Sequence, residues 1–382
     1  MSGGRLLMLH DSPQFGGHEL MLLNLLPGVI EAGHFDEIIA CFPEGNRRLA
    51  DGLAALGGPI RLKPWNFEKR WAEPYLGYLR RDYARAARRI IAEEQPTSTL
   101  LVQGRIENLV VPMLAIPRDR FVVSYVPMAH RLADIGRNGW VGDTARRPLY
   151  RRPDRFIVPS RSVARQIVAA GGRGEAVVAD NFVNVPPRVD QSDARRALDL
   201  PEGRKIALFL GRLDVTQKGL DILADALRRN SAHLGDWLFL FVGDGEGRGT
   251  IDALAQDEAG RLDIRTVPWT DKAHLYLAAA DLLLMPSRWE GVPLVMLEAM
   301  ACELPILASD IDVFREYLPA ENCVDFTAAD MPARMEWLAG PEGRACFARA
   351  VSGRGGESVR ERARACFAAA LVPGAIQIEG HA

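Results

Sequence analysis

Residues 282–310 read LLLMPSRWEGVPLVMLEAMACELPILASD, and the order of apolar and polar residues in this stretch decides the fold. The run Leu282 to Met285 is apolar at four consecutive positions, which predicts a strand buried on both faces, as in the centre of a parallel sheet. A turn follows through Pro286, Ser287 and Gly291. Pro293 suits the first position of a helix, and Leu294, Val295, Leu297, Met300 and Ala301 supply its apolar stripe. Pro305 to Ala308 predicts a second short strand, closing a strand-helix-strand unit.

Two carboxylates give this unit its chemistry. Glu290 falls in the loop at the carboxyl end of a strand, where open α/β sheets bind ligands, and Glu298 falls about a turn and a half into the following helix. The amides of Leu294 and Val295 can meet an anion at the helix start. A phosphate flanked by two hydroxyl-binding carboxylates describes a sugar nucleotide. The plain alternative is two surface acids, since helix starts attract Glu in any case.

The pair Glu290 and Glu298, separated by seven residues in SRWEGVPLVMLEAMA, resembles the E-x7-E motif of family 4 retaining glycosyltransferases of the GT-B fold. The resemblance implies that Glu290 contacts the donor sugar, that Glu298 binds the ribose, and that Gly291, Val292, Pro293 and Leu294 meet the donor. It also implies an α/β architecture of two Rossmann-like, doubly wound parallel-sheet domains, a donor cleft between them and a carboxyl-terminal helix that crosses back.

Length and composition agree with two domains. At 382 residues the chain exceeds what one core usually holds, and 48% hydrophobic with 25% charged residues reads as soluble and globular. No apolar run approaches membrane-spanning length, and the start lacks a signal-peptide pattern. Five scattered cysteines show neither CxxC spacing nor a disulfide framework, so a cytoplasmic setting is expected. Net charge is −2, but residues 1–190 carry 26 Lys and Arg against 20 Asp and Glu, which suits an anionic partner such as a phosphate, a lipid head group or a nucleic acid without choosing among them.

In the amino half, the strand Arg5 to His10 runs into DSPQFGGHE and a helical pattern. Gly16 and Gly17 there let backbone approach a ligand just ahead of a helix start. A plain tight turn reads equally well from the residues, and the resemblance adds a GG loop whose amides touch the donor diphosphate. Strands are expected at Glu37 to Phe42, Thr99 to Gln103, Phe121 to Val126 and Arg155 to Val158, alternating with helices. His130, in YVPMAH, matches the family's histidine beside the donor sugar. Arg131 to Arg155 reads as a basic, acceptor-side loop. Between Lys63 and Arg89, eight basic residues interleave with Trp65, Phe67, Trp71, Tyr75, Tyr78 and Tyr83. That pattern fits a peripheral contact with an anionic membrane, a single-stranded nucleic-acid surface or, more plainly, a solvated helix face whose aromatics enter the core.

In the carboxyl half, Ile206 to Leu210 opens into GRLDVTQKG, so Arg212 and Lys218 project from a strand-end loop, where two cations can neutralise a diphosphate. As GRLDxxQKG upstream of E-x7-E, they match the family's diphosphate-binding Arg and Lys. The strand Trp237 to Val242 precedes GDGEGRG, which fails G-x-G-x-x-G and resembles the family's GDG turn. The loop Pro268-Trp-Thr-Asp271 resembles the one near which relatives hold the base. Asp310-Ile-Asp312 is formally DxD, yet offers too few oxygens for a hard cation, and no metal is expected. Glu303 stands where relatives place a left-handed Gly.

The expected organisation is an amino domain over residues 1–185, a linker over 186–204, a nucleotide-sugar-binding domain over 205–335, and terminal helices over 336–382 packing back on the amino domain. The expected activity is retaining, metal-independent transfer from a UDP-, GDP- or ADP-sugar substrate to a hydroxyl acceptor, lipid-linked or oligosaccharide. No cofactor and no nucleic acid are expected, and catalysis falls to Glu290, His130, Lys218 and Arg212. The rivals are a relative that hydrolyses or epimerises a nucleotide sugar, and a non-catalytic partner subunit.

Overall fold

The computed structural model describes residues 4–68, 79–135, 139–184, 188–328, 330–354 and 356–374. The chain divides into two compact units, Met1–Asn181 with Glu357–Ala382, and Phe182–Gly356.

The first unit is built on a parallel sheet of seven described strands in the order β3-β2-β1-β4-β5-β6-β7. These are β1 Gly4–His10, β2 Phe35–Pro43, β3 Ile60–Trp65, β4 Ser98–Val102, β5 Val122–Tyr125, β6 Arg155–Val158 and β7 Glu175–Val178. Strand β1 sits between β2 and β4, with Leu6 level with Ile38 on one side and Ser98 on the other. The order reverses between β1 and β4, and such a reversal opens a crevice at the carboxyl ends of the strands. Helix Gly17–Ala32 leaves β1 at this point and buries Met21, Leu22, Leu25 and Leu26.

Strand β3 escapes the sequence reading because it is a half-exposed edge containing Pro64, and an edge is where a sheet tolerates proline. The interval 131–155, expected as a loop, is largely helical, with helices Leu132–Ile135 and Gly139–Tyr150. Pro148 lies in the last turn of the second, and Gly142, Arg146, Leu149 and Tyr150 form its buried face.

Of the six aromatics between Lys63 and Arg89, Trp65 and Tyr83 are buried, and Phe67 stacks on Tyr83 at 4.6 Å. Trp71, Tyr75 and Tyr78 lie outside the described residues. Among the described residues no helix is long and apolar enough to cross a membrane.

Helix Glu357–Ala370 packs on helix Gly17–Ala32 and on β6 and β7. The buried Arg155 of β6 fastens the end of this helix and the turn beyond it. Its guanidinium donates to the carbonyl oxygens of Ala370, Val372 and Gly374, at 2.9, 3.1 and 2.9 Å.

The second unit is built on a parallel sheet of six described strands in the order β10-β9-β8-β11-β12-β13. They are β8 Lys205–Leu210, β9 Trp237–Val242, β10 Asp263–Val267, β11 Leu282–Met285, β12 Ile306–Ser309 and β13 Cys323–Val324. Strand β11 is buried along its whole length, as its apolar run requires. Here the order reverses between β8 and β11.

The unit is larger than expected at both ends. Residues 190–197, read as linker, carry helix Gln191–Ala197 capped by Asp190, and residues 331–351, read in part as packing on the amino domain, carry helices Met331–Ala339 and Pro341–Val351 of this unit. The cause is Asp281, at the foot of β11. Its carboxylate accepts from Arg195 and Arg344, both at 2.7 Å, and from the amide of Ile206 at 2.7 Å. Met331, Met335 and Leu338 complete the apolar core on the sheet.

Candidate active site

In the second unit, the strand reversal places the loop after β8 beside the loop after β11. These are the loops that carry Arg212 and Lys218, and Glu290. They are joined along their backbones. The amide of Arg288 donates to the carbonyl of Gln217 at 2.9 Å, and the Arg288 guanidinium reaches the carbonyl of Val215 at 2.7 Å and both oxygens of Asp221 at 2.8 and 2.6 Å.

Within this frame Lys218 Nζ lies 2.6 Å from Glu290 Oε1. The same oxygen accepts from the Ser287 hydroxyl at 2.8 Å, and the Gln217 amide approaches Oε2 at 3.4 Å. Glu290 is 4% exposed, so protein groups, the Lys218 ammonium among them, compensate its charge in place of bulk water. Arg212 joins through Gln217, whose side-chain oxygen it meets at 3.0 Å, and through Asp214 at 3.3 Å. Asp214 in turn caps the amide of Gln217 at 2.7 Å. Ser287, Gln217 and Asp214 went unread as site residues, although Gln217 stands within GRLDxxQKG.

Gly291 and Val292 are buried, and helix Leu294–Ala301 begins one residue later than expected, with Pro293 as its extended cap. The amides of Leu294 and Val295 stand ahead of the first helical acceptor and carry the positive end of the helix dipole. Glu298 is half-buried in the second turn, and burial pushes its carboxyl above the usual range. A carboxyl so placed gains from a hydroxyl partner. Of the sequence-read group, Lys218 and Glu290 are thus in direct contact, Arg212 is linked to them through Gln217, and Glu298 lies on the adjoining helix.

Neither oxygen of Asp310 is idle: Arg315 binds both, and Asp312 accepts from the amide of Val313 at 2.8 Å. Among the described residues no group of three or more His, Cys, Asp or Glu side chains is placed to hold a metal ion.

In the first unit, Gly16 caps helix Gly17–Ala32, and its amide donates to Glu19 Oε2 at 2.9 Å. Glu19 Oε1 meets His10 Nε2 at 2.9 Å. The backbone amide of Gly16 is therefore spent within the protein, while Gly17 opens the helix. Burial alone would raise the Glu19 carboxyl, but the His10 hydrogen bond and the neighbouring imidazoles bring it down to about 2. His18 stacks on Tyr125 with ring centroids 4.5 Å apart, and burial lowers its pKa to about 4. His130 is half-buried beyond β5, and its carbonyl oxygen accepts from Arg146 at 3.2 Å.

Residues 190–334 match the family described as "Glycosyl transferases group 1". The lipopolysaccharide core biosynthesis glycosyltransferase LpsE of Rhizobium meliloti is 31% identical over 160 residues, 42% of this chain and 45% of that protein. The D-inositol 3-phosphate glycosyltransferase of Mycobacterium tuberculosis is 30% identical over 217 residues, 51% of this chain and 44% of that protein. The chain spans less than half the length of the curated relatives it matches. The fold is shared more widely. Anabaena HepE, solved in complex with UDP and glucose, superposes with a TM-score of 0.66 at 17% identity, over 97% of this chain and 96% of that one. Two parallel-sheet α/β units of this build define the GT-B class of glycosyltransferase folds.

Proposed function

We propose that this chain is a glycosyltransferase that moves a sugar from a nucleotide-sugar donor to a hydroxyl acceptor, in the synthesis of a glycan, polysaccharide or glycolipid. The observation that carries the reading is the contact of Lys218 with Glu290 at the strand reversal of the second unit, 2.6 Å apart and framed by Ser287, Gln217 and Arg212. A buried carboxylate beside two cations and a helix start suits a ligand with sugar hydroxyls at one end and a diphosphate at the other. The match of residues 190–334 to group 1 glycosyl transferases supports the same reading.

On this reading Lys218, Arg212 and the amides of Leu294 and Val295 balance the charge of the departing diphosphate. Glu290 holds the donor sugar, Glu298 the ribose. Transfer retains anomeric configuration and needs no divalent metal. His130 and Gly17 enter through the family resemblance, as donor contacts from the first unit. The enzyme works in the cytoplasm, and a lipid-linked acceptor would bring it to the inner membrane face.

A thermal-shift panel of UDP-, GDP- and ADP-sugars tests the donor class, because a ligand that binds only the native state raises its stability with the logarithm of concentration over Kd. One nucleotide series is expected to shift the transition while free sugars leave it in place. A panel without any shift at millimolar concentration would remove the donor assignment.

A further inference from the structure

The carboxyl edge of the first unit's sheet carries a run of buried polar side chains that the donor chemistry leaves unexplained. It starts at Asp11, just beyond β1, whose carboxylate accepts from the Asn108 side chain at 3.1 Å and from the amide of Leu109 at 2.7 Å. Leu109 adopts a left-handed backbone with φ of 57°, a conformation that costs a branched residue energy and is maintained here by that bond. Next to Asn108 stands Glu107, whose Oε1 pairs with Arg146 Nε at 2.8 Å. Arg146, on helix Gly139–Tyr150, is 6% exposed, and its Nη1 donates to the carbonyl oxygen of His130 at 3.2 Å. One guanidinium thus ties the loop after β4 to the loop after β5.

The same helix grips the chain on the far side of His130. Asp143 accepts from the amides of Leu132 and Ala133, at 2.6 and 3.0 Å. Gly139 lies so close that an added Cβ would fall 2.0 Å from the backbone of Leu132. His130 is therefore bracketed, its own carbonyl held by Arg146 and the amides of Leu132 and Ala133 held by Asp143. A helix that buries an arginine for a neighbouring carbonyl loses hydration of that charge, and the fold compensates with Glu107 and Asp143 rather than with solvent. For a purely structural bracket an apolar contact would serve, because replacing a buried ion pair by packed apolar side chains is often neutral or stabilising.

We infer that Arg146 and Asp143 are positioning residues for His130, setting the backbone from which its imidazole meets the donor. The inference rests on the reading of His130 as a donor contact. Positioning of this kind acts on rate more than on binding, since small displacements of a group that acts in the transition state are costly there.

The test follows release of nucleoside diphosphate from UDP-glucose, GDP-glucose and ADP-glucose, using the donor that wild type turns over fastest. Arg146→Ala is expected to lower kcat roughly tenfold or more with donor KM changed less than about threefold. In a His130→Ala background the Arg146→Ala change is expected to have no further effect, as for two residues acting through one group. Arg146→Ala leaves the Glu107 carboxylate without its cation, so Asp143→Asn, which keeps the shape, supplies a second route and is expected to show a smaller loss of the same kind. Wild-type kcat in both folded variants, or losses that multiply fully in the double variant, would overturn the inference and leave the proposed function standing. Wild-type kcat in His130→Ala would overturn the assignment of His130 and the inference with it.

Discussion

Gly219 closes against Pro286: a Cβ added to Gly219 would lie 2.1 Å from the Pro286 carbonyl oxygen, and Gly219 has a φ of 66°. This contact brings the loop after β8 onto the loop after β11 one residue from Lys218. Gly219→Ala meets both a left-handed backbone and a clash with main chain that cannot rotate away. It is expected to cost about 3 kcal/mol in urea unfolding and to lower turnover by separating Lys218 from Glu290.

Lys218 is the cation beside a buried carboxylate. Lys218→Ala removes the ammonium that meets the buried Glu290 carboxylate at 2.6 Å, and is expected to lose about 3 kcal/mol of stability as well as roughly 10²-fold in turnover. Lys218→Ala combined with Glu290→Gln is expected to regain much of the stability and none of the turnover. Equal stability of the single and double variants would show that the pair is not charge-coupled.

His18 makes the fold sensitive to mild acid. Its pKa is lowered by burial from 6.5 to about 4, so the unfolded chain binds the proton first. The contribution of His18 is expected to be fully present above about pH 6.5 and to be lost as pH drops toward 4, by about 3 kcal/mol at the lower end. His18→Phe preserves the stack on Tyr125 and sacrifices no hydrogen bond, since neither ring nitrogen has a partner among the described residues. Urea unfolding at pH 7 and pH 4.5 should differ less in that variant than in wild type.

Glu303 adopts the left-handed conformation expected from its place after helix Leu294–Ala301, with φ of 55°. The amide of Leu304 returns to the carbonyl of Ala299 at 2.9 Å and that of Glu303 to Met300 at 3.1 Å, a helix stop that favours glycine. Glu303→Gly is expected to stabilise by up to about 1 kcal/mol, read as a rise in Tm. A fall in Tm would mean that the exposed Arg188 pairing outweighs backbone strain.

Anomeric outcome and metal dependence bear on the chemistry of transfer. Chelator is expected to leave turnover intact, because the cations assigned to the leaving diphosphate are protein side chains. Proton NMR of the first product formed from an α-linked donor should show an α linkage. A β-linked product, or loss to chelator restored by Mg²⁺ or Mn²⁺, would refute the proposed mechanism.

The apolar quartet of β11, the strand ends carrying Arg212, Lys218 and Glu290, and the helix after Pro293 were legible because each depends on a local pattern of burial or turn chemistry. The pairing of Lys218 with Glu290 was not, since the two are 72 positions apart and meet only through strand order. Residues 131–155 misled in another way. Their arginine pairs resemble a solvated loop, yet Arg146 turns inward, and no sequence periodicity announces a buried cation whose partners lie on other loops. The helix at Gln191–Ala197 was hidden by the prolines around it, and its tertiary anchor is Asp281.

The grip of Arg155 on the carbonyls of Ala370, Val372 and Gly374 has a consequence for the order of synthesis. The sheet of the first unit is complete in sequence by residue 178, but the helix that covers it beside Gly17–Ala32 emerges only after the whole second unit has been made. A chain that ends at residue 181 therefore lacks the helix that covers one flank of that sheet, and its Arg155 lacks the carbonyls of Ala370, Val372 and Gly374. Nascent chains halted before Glu357 should need a chaperone, and those extended past Gly374 should release it.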